Sequence, residues 1–184
     1  MKSAIVSLAL LATALAAQAQ QAIVPAQSEV TFTSRQMGVP VDGKFKSFSA
    51  QVAFDPAKLS TSKIAFTVDT GSADISREAN AELPKAVWFN VAAFPKATFS
   101  SSSIKKLDAT RYEVAGKLAI KGVTSDVVVP VTLAQNGATT VASGVFPIKR
   151  LTFRIGEKEW ADTSMVADDV QVKFKIALTG VPKL

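Results

Sequence analysis

The chain contains no histidine and no cysteine. Without histidine, the usual general base near neutral pH is missing, and so is the commonest metal ligand. Without either residue, zinc, copper and haem sites of the usual kinds cannot be assembled, nor can a Ser-His-Asp or Cys-His nucleophile. No disulfide can support the fold. Tyrosine occurs once and tryptophan twice. The net charge of +6 comes from lysines and arginines spread along the chain, with no basic cluster interleaved with stacking aromatics, so nucleic acid is not expected as a partner. A modest positive balance favours solubility and weakly favours anionic partners. Apolar runs of membrane-span length are also lacking.

What remains for chemistry is carboxylates, lysines, serines and the single tyrosine. The densest acidic groups are Asp168 with Asp169, and Glu157 with Glu159. Adjacent carboxylates on a strand point to opposite faces, so Asp168 and Asp169 do not make a working pair. Neither group has the spacing of a calcium loop or of a glycosidase pair. No cofactor or metal is expected, and the chain is not expected to be an enzyme. A carboxylate-based hydrolase is the weakest of the function classes left open.

Lys2, the apolar run of residues 5–15 and the small residues of Ala17-Gln18-Ala19 have the form of a secretory signal peptide. Cleavage is expected after Ala19, with Ala14-Leu15-Ala16 as a competing site. This predicts a signal peptide over residues 1–19 and an exported, periplasmic protein made of residues 20–184. No cysteine adjoins the cleavage site, which argues against a lipid anchor of the bacterial lipoprotein kind, and stable membrane insertion is not expected. Residues 20–184 amount to one ordinary domain. A homodimer is left open.

Within that domain, period-two alternation recurs with turn residues between. Val30 and Phe32 mark a first strand, residues 41–54 a long second one, and Ile64, Phe66 and Val68 a third. Residues 98–104 give the fourth, residues 112–120 the fifth and residues 127–133 the sixth. Residues 141–155 give the seventh, and Val170, Val172, Phe174, Ile176 and Leu178 the eighth. Two strands change phase. Phe45 and Phe48 are three apart, and Val145 and Phe146 are adjacent, so a bulge or bend is expected in the second and seventh strands. Gly43, Gly116 and Gly144 fit a curled sheet. The serine run at 100–103 falls within a strand and is expected at a solvent-facing edge. Residues 75–95, rich in alanine and charge and broken by Pro84, read as a short helix in a long crossover between the third and fourth strands.

Eight mostly antiparallel strands suggest a closed barrel or a sandwich. The lysines of the last strand mark the outer face, so the apolar face is interior. An eight-stranded barrel is either filled by side chains or holds one small ligand. All eleven phenylalanines of the sequence lie within residues 20–184. They would either pack on one another or line a lumen suited to an apolar guest, and patterning alone leaves both open.

Five stretches, in order, resemble the YceI-like family of bacterial lipid-binding proteins. They are "SEVTFTS" at 28–34 followed by "VDGKFKSFSAQVAFDP" at 41–56, "WFNVAAFPKATF" at 88–99, "GKLAIKGVTSDVVVPV" at 116–131, "KRLTFRIG" at 149–156 and "DDVQVKFKIAL" at 168–178. The resemblance implies an all-β fold, an eight-stranded antiparallel lipocalin-like barrel. It also implies that the lumen binds a long-chain amphiphile such as a polyisoprenoid, an isoprenoid quinone or a fatty-acid-like lipid. The chain departs from many members by carrying Arg35-Gln36 where they have histidine, and Thr152-Phe153-Arg154 where they have Asp-Phe-Gly.

The residues expected to line the lumen are Phe32, Phe45, Phe48, Phe66, Trp88, Phe89, Phe94, Phe99, Leu118, Ile120, Phe153, Phe174 and Ile176. Val127, Val129 and Val131 should face the same way. In an up-and-down barrel the crossover sits at one rim, where Trp88, Phe89 and Phe94 would form a lid or a fixed plug. Arg35, Arg77, Lys121 and Arg154 fall at that rim, but so do Asp74, Glu78, Asp126, Glu157 and Glu159, so the rim as a whole is not basic. An anionic head group would need a single arginine, and the candidates are Arg35, Arg150 and Arg154, the second because it matches the family's seventh-strand motif. Besides a lipid carrier, an interaction module for a membrane electron-transfer or envelope complex remains open.

Overall fold

The alternating runs become strands of one curled antiparallel sheet. The computed structural model describes residues 21–184, so the expected signal peptide lies outside the described residues. The strands are β1 (Ala22–Ile23), β2 (Glu29–Gln36), β3 (Val39–Phe45), β4 (Phe48–Ala53), β5 (Lys63–Asp69), β6 (Ala73–Asp74), β7 (Lys96–Lys106), β8 (Arg111–Ile120), β9 (Val123–Asn136), β10 (Thr139–Lys149) and β11 (Asp169–Thr179). One helix, α1 (Arg77–Glu82), stands in the crossover. The sheet order is β4-β5-β7-β8-β9-β10-β11-β2-β3-β6, with β1 also pairing β11.

Closure depends on the expected second strand, which is two strands rather than one bulged strand. It breaks at Lys46 and Ser47. The first half, β3, pairs with β2, and the second half, β4, pairs with β5. The two ends of the sheet are therefore consecutive in the chain. Ladder hydrogen bonds continue across the break, from Lys46 N–H to Ser72 O at 3.1 Å and from Asp69 N–H to Ser47 O at 3.0 Å. The sheet thus curls back onto itself as an eight-stranded barrel with one kinked strand, and the short β6 continues β5 alongside β3. A two-residue break also resolves the phase problem, since it lets Phe45 and Phe48 both face inward.

The seventh strand corrects the expectation differently. Its register against β11 runs unbroken from Thr139 opposite Thr179 to Lys149 opposite Asp169, so it has no bulge there. The inward face is Thr140, Ala142, Gly144, Phe146 and Ile148, and Val145, at 47 % exposure, faces outward. The strand ends at Lys149, and Arg150–Phe153 coil into a 3-10 turn. The register irregularity falls instead between Ser101 and Ser103 of β7. Ser101 is not a solvent-facing edge residue, because its Oγ accepts a hydrogen bond from Ile64 N–H of β5 at 2.9 Å.

Three clusters organise the interior. Val30, Ile176 and Leu178 hold the middle. Phe54, Tyr112 and Leu133 close the lower end, with Leu59, Val181 and Leu184 against them. Ile120, Phe153 and Ile155 close the upper end together with Trp88 and Phe89 from the crossover. The upper rim is tied by backbone bonds between distant loops: Met37 N–H to Met165 O at 2.9 Å, and Gly156 N–H to Val87 O at 2.8 Å.

Candidate functional site: the barrel lumen

Phenylalanine rings in a barrel either fill it or lie against its wall, and glycine decides which. A Cβ on Gly43 would come within 2.4 Å of the Phe32 ring, one on Gly116 within 2.6 Å of Phe99, and one on Gly144 within 2.6 Å of Phe174. Each ring occupies the space over a glycine of the neighbouring strand. The rings therefore lie along the wall, and the axis of the barrel stays open.

The open space forms two chambers with shared walls. The inner one, of about 190 Å³, presents only apolar surface, from residues that include Phe66, Phe99, Val114, Phe174, Ile176 and the Tyr112 ring. The outer one, of about 460 Å³, is lined by Phe32, Phe45, Trp88, Phe89, Ile120 and their neighbours. Val30, Val68, Ala97, Leu118, Phe146 and Val172 line both, so the chambers are contiguous. Together they have the size and apolar character of a ligand pocket. The outer chamber reaches solvent between α1 and the β2–β3 hairpin, where the exposed Gln36, Ser76 and Glu78 form part of its wall.

Ten of the thirteen residues expected in the lining border the two chambers. Phe66, Phe99, Phe174 and Ile176 reach the inner chamber, and Phe32, Phe45, Trp88, Phe89 and Ile120 the outer one, with Leu118 in both. Val129 and Val131 line the inner chamber. Four expected residues do not line either, the first of them Val127, which is half-buried outside both walls. Phe48 faces inward but stacks on Phe66, with ring centroids 5.8 Å apart, and is taken up in the middle core cluster. Phe94 lies over Gly122 of the β8–β9 turn, where a Cβ would meet its ring at 2.9 Å. Phe153, 2 % exposed, is fixed in the upper cluster because the chain has already left the strand for a 3-10 turn.

The arginines separate sharply. Arg150 is 2 % exposed and spends all five N–H donors on backbone carbonyls. Nε–H donates to Ala167 O at 3.1 Å, the Nη1 donors to Ile155 O and Gly156 O at 2.9 and 2.8 Å, and the Nη2 donors to Trp160 O and Val166 O at 2.7 and 2.6 Å. Burial pushes this guanidinium below its ordinary pKa, and the charge of Asp168 opposes that. Although Arg150 borders the outer chamber, it has no donor left for a head group, which corrects the sequence expectation. Asp168 serves the same turn, its Oδ1 accepting from Leu151 N–H at 2.9 Å. Arg35 alternates with Ser34 and Gln36, so it points away from the chamber those two line, and Nη1 donates to Gly38 O at 3.0 Å. Arg154 is exposed in a left-handed conformation with φ of 56° and is not part of either wall.

The mouth contains Glu78, which the sequence places at the rim, and four residues that sequence reasoning missed: Ser34, Gln36, Ser76 and Glu82. Ser34 and Gln36 share the parity of Phe32, a signal that was present. Glu78 and Glu82 sit on α1, and only the folded crossover brings that helix over the barrel. Two buried polar atoms have no partner among the described residues, Trp88 Nε1 and Tyr112 Oη. Both belong to aromatic residues bordering the lumen.

Residues 22–178 match the YceI-like domain. The chain belongs to the YceI-like family. The crystal structure of Burkholderia cenocepacia BcnA superposes with a TM-score of 0.81 at 47 % sequence identity, covering 84 % of this chain and 98 % of that one. The Protein YceI of Salmonella arizonae is 36 % identical over 96 residues, which are 52 % of this chain. The chain spans about half the length of the curated YceI relatives it matches. A polyisoprenoid binding domain from Saccharophagus degradans, at 13 % identity, shares the fold with a TM-score of 0.70 over 87 % of this chain and 98 % of that one. The lipocalin-like barrel of the family is thus the fold of this chain.

Proposed function

We propose that this chain is an exported binding protein that holds the apolar chain of a long amphiphile inside its barrel. The observation that carries this reading is the continuous lumen, whose inner chamber presents only apolar surface and whose outer chamber opens at the rim. Water gains little from such a space, whereas each methylene buried there is worth about 0.8 kcal/mol. A tail of a dozen carbons would supply roughly 10 kcal/mol gross before ordering costs, with no polar contact needed. The polyisoprenoid binding domain with the same fold supports a lipid as guest. Binding rather than catalysis fits a chain without histidine or cysteine, and the residues at 1–19 support export to the periplasm.

Phe174→Asp places a charge in the inner chamber and tests the reading. The protein, stripped of lipid, should take up an apolar fluorescent probe, and the variant should lose that uptake while still folding by circular dichroism. Equal uptake by both would sink the proposal.

A second reading, an interaction module, is favoured by the rim itself. Met37, Val39 and Met165 are 71 %, 62 % and 46 % exposed, and the Met37 and Met165 backbones are hydrogen-bonded. Exposed apolar groups beside the mouth suit contact with whatever delivers or accepts the lipid.

A further inference from the structure

The mouth carries a charge pattern from which a head-group class follows. Glu78 and Glu82 lie four residues apart on α1, so they share one face, and both line the outer chamber where it opens. Ser34, Gln36 and Ser76 complete that part of the wall with uncharged donors and acceptors. The cations near this rim are engaged, turned away or, like the exposed Arg77 and Arg154, outside the walls of both chambers. Arg150 is saturated by five carbonyls. Lys121, buried at 7 % exposure, donates to Arg154 O and pairs with Glu157 Oε2 at 3.0 Å. Arg35 points to the opposite face of β2. Lys85 bonds Glu82, which leaves Glu78 as the less compensated carboxylate.

We infer that this mouth accepts amphiphiles with an uncharged, hydrogen-bonding head group and rejects anionic ones, through Glu78 first and Glu82 second. The inference rests on the lipid-binding reading and sharpens it. With the alkyl chain in the lumen, the head group is left at the mouth. There a carboxylate or phosphate would face like charge with no cation of the chamber wall free to meet it, whereas a hydroxyl or carbonyl has Ser34 and Gln36 within the same wall.

The test uses two probes of one chain length, dodecanol and laurate, displacing an apolar fluorophore from the lipid-stripped protein at pH 8. Ionised laurate is also the more water-soluble, so the decisive quantity is the ratio of half-displacement concentrations and its response to charge. Glu78→Gln/Glu82→Gln should improve laurate at least threefold and leave dodecanol within twofold. Added salt, by screening, should narrow the wild-type ratio more than that of the variant. A wild-type protein that binds laurate as tightly as dodecanol, or a double variant with an unchanged ratio, overturns the assignment. Failure of both probes to displace the fluorophore overturns the lipid-binding reading itself, and this inference with it.

Discussion

Arg150 shows how a charged side chain can be structural throughout. Its guanidinium gathers five carbonyls from residues 155–167, a loop that would otherwise have to bury unsatisfied acceptors at the top of the barrel. Gly156 makes room for it, since a Cβ there would come within 2.4 Å of Nη1. Lysine has three donors on a single nitrogen and cannot reproduce the fork. Arg150→Lys should therefore destabilise the protein by about 3 kcal/mol or more, and lower its melting temperature by roughly 10 °C. Thermal unfolding followed by circular dichroism checks this, and a change below about 2 °C would remove the structural role. The sequence showed an arginine at a motif position but not its burial, because the five acceptors come from a loop without periodicity. That is why it resembled a head-group contact.

At the scale of elements, the ring-over-glycine pairs determine how much lumen survives. In Gly144→Ala the new methyl would lie 2.2 Å from Pro130 O on β9 and 2.6 Å from the Phe174 ring. The backbone cannot give way as a flexible side chain can, so the strand must shift and the ring must swing into the lumen. Uptake of an apolar probe should fall at least fivefold in this variant, with a lower melting temperature. Unchanged uptake would mean that the ring does not border the bound chain. The crossover makes a second test. Trp88 borders the outer chamber, packs on Trp160 with centroids 5.4 Å apart, and leaves its Nε1 without a partner. In Trp160→Phe all tryptophan fluorescence reports from Trp88. Loading with lipid should shift its emission and its access to a soluble quencher if the crossover is a lid. Identical spectra in the empty and loaded forms would make it a fixed plug. Both devices were partly visible beforehand. Alternation gave the strand runs and their inward faces, and Gly43, Gly116 and Gly144 marked the curl. The break at Lys46 and Ser47 read as a bulge, because a phase change of odd spacing has either solution until the pairing partners are known. The unbroken register of β10 went unseen because Val145 is apolar yet faces out.

For the whole molecule, the account turns on whether the lumen holds a guest or is merely loose packing. The sequence carried the barrel and most of its lining, through period two and the family resemblance. It could not separate rings that fill a core from rings that line a cavity, because both have the same pattern. Only the position of each ring over a glycine decides that. It put Glu78 at the rim but could not turn Glu78 and Glu82 toward the chamber, since a six-residue helix reveals no target face by itself. The most direct measurement is native mass spectrometry of the protein purified from its own host, followed by denaturation and organic extraction of the same sample. The account predicts a native mass above that of the polypeptide by one apolar molecule per chain, which denaturation releases into the organic phase. A native mass equal to that of the bare polypeptide, in protein that also takes up no added long-chain amphiphile, would contradict it.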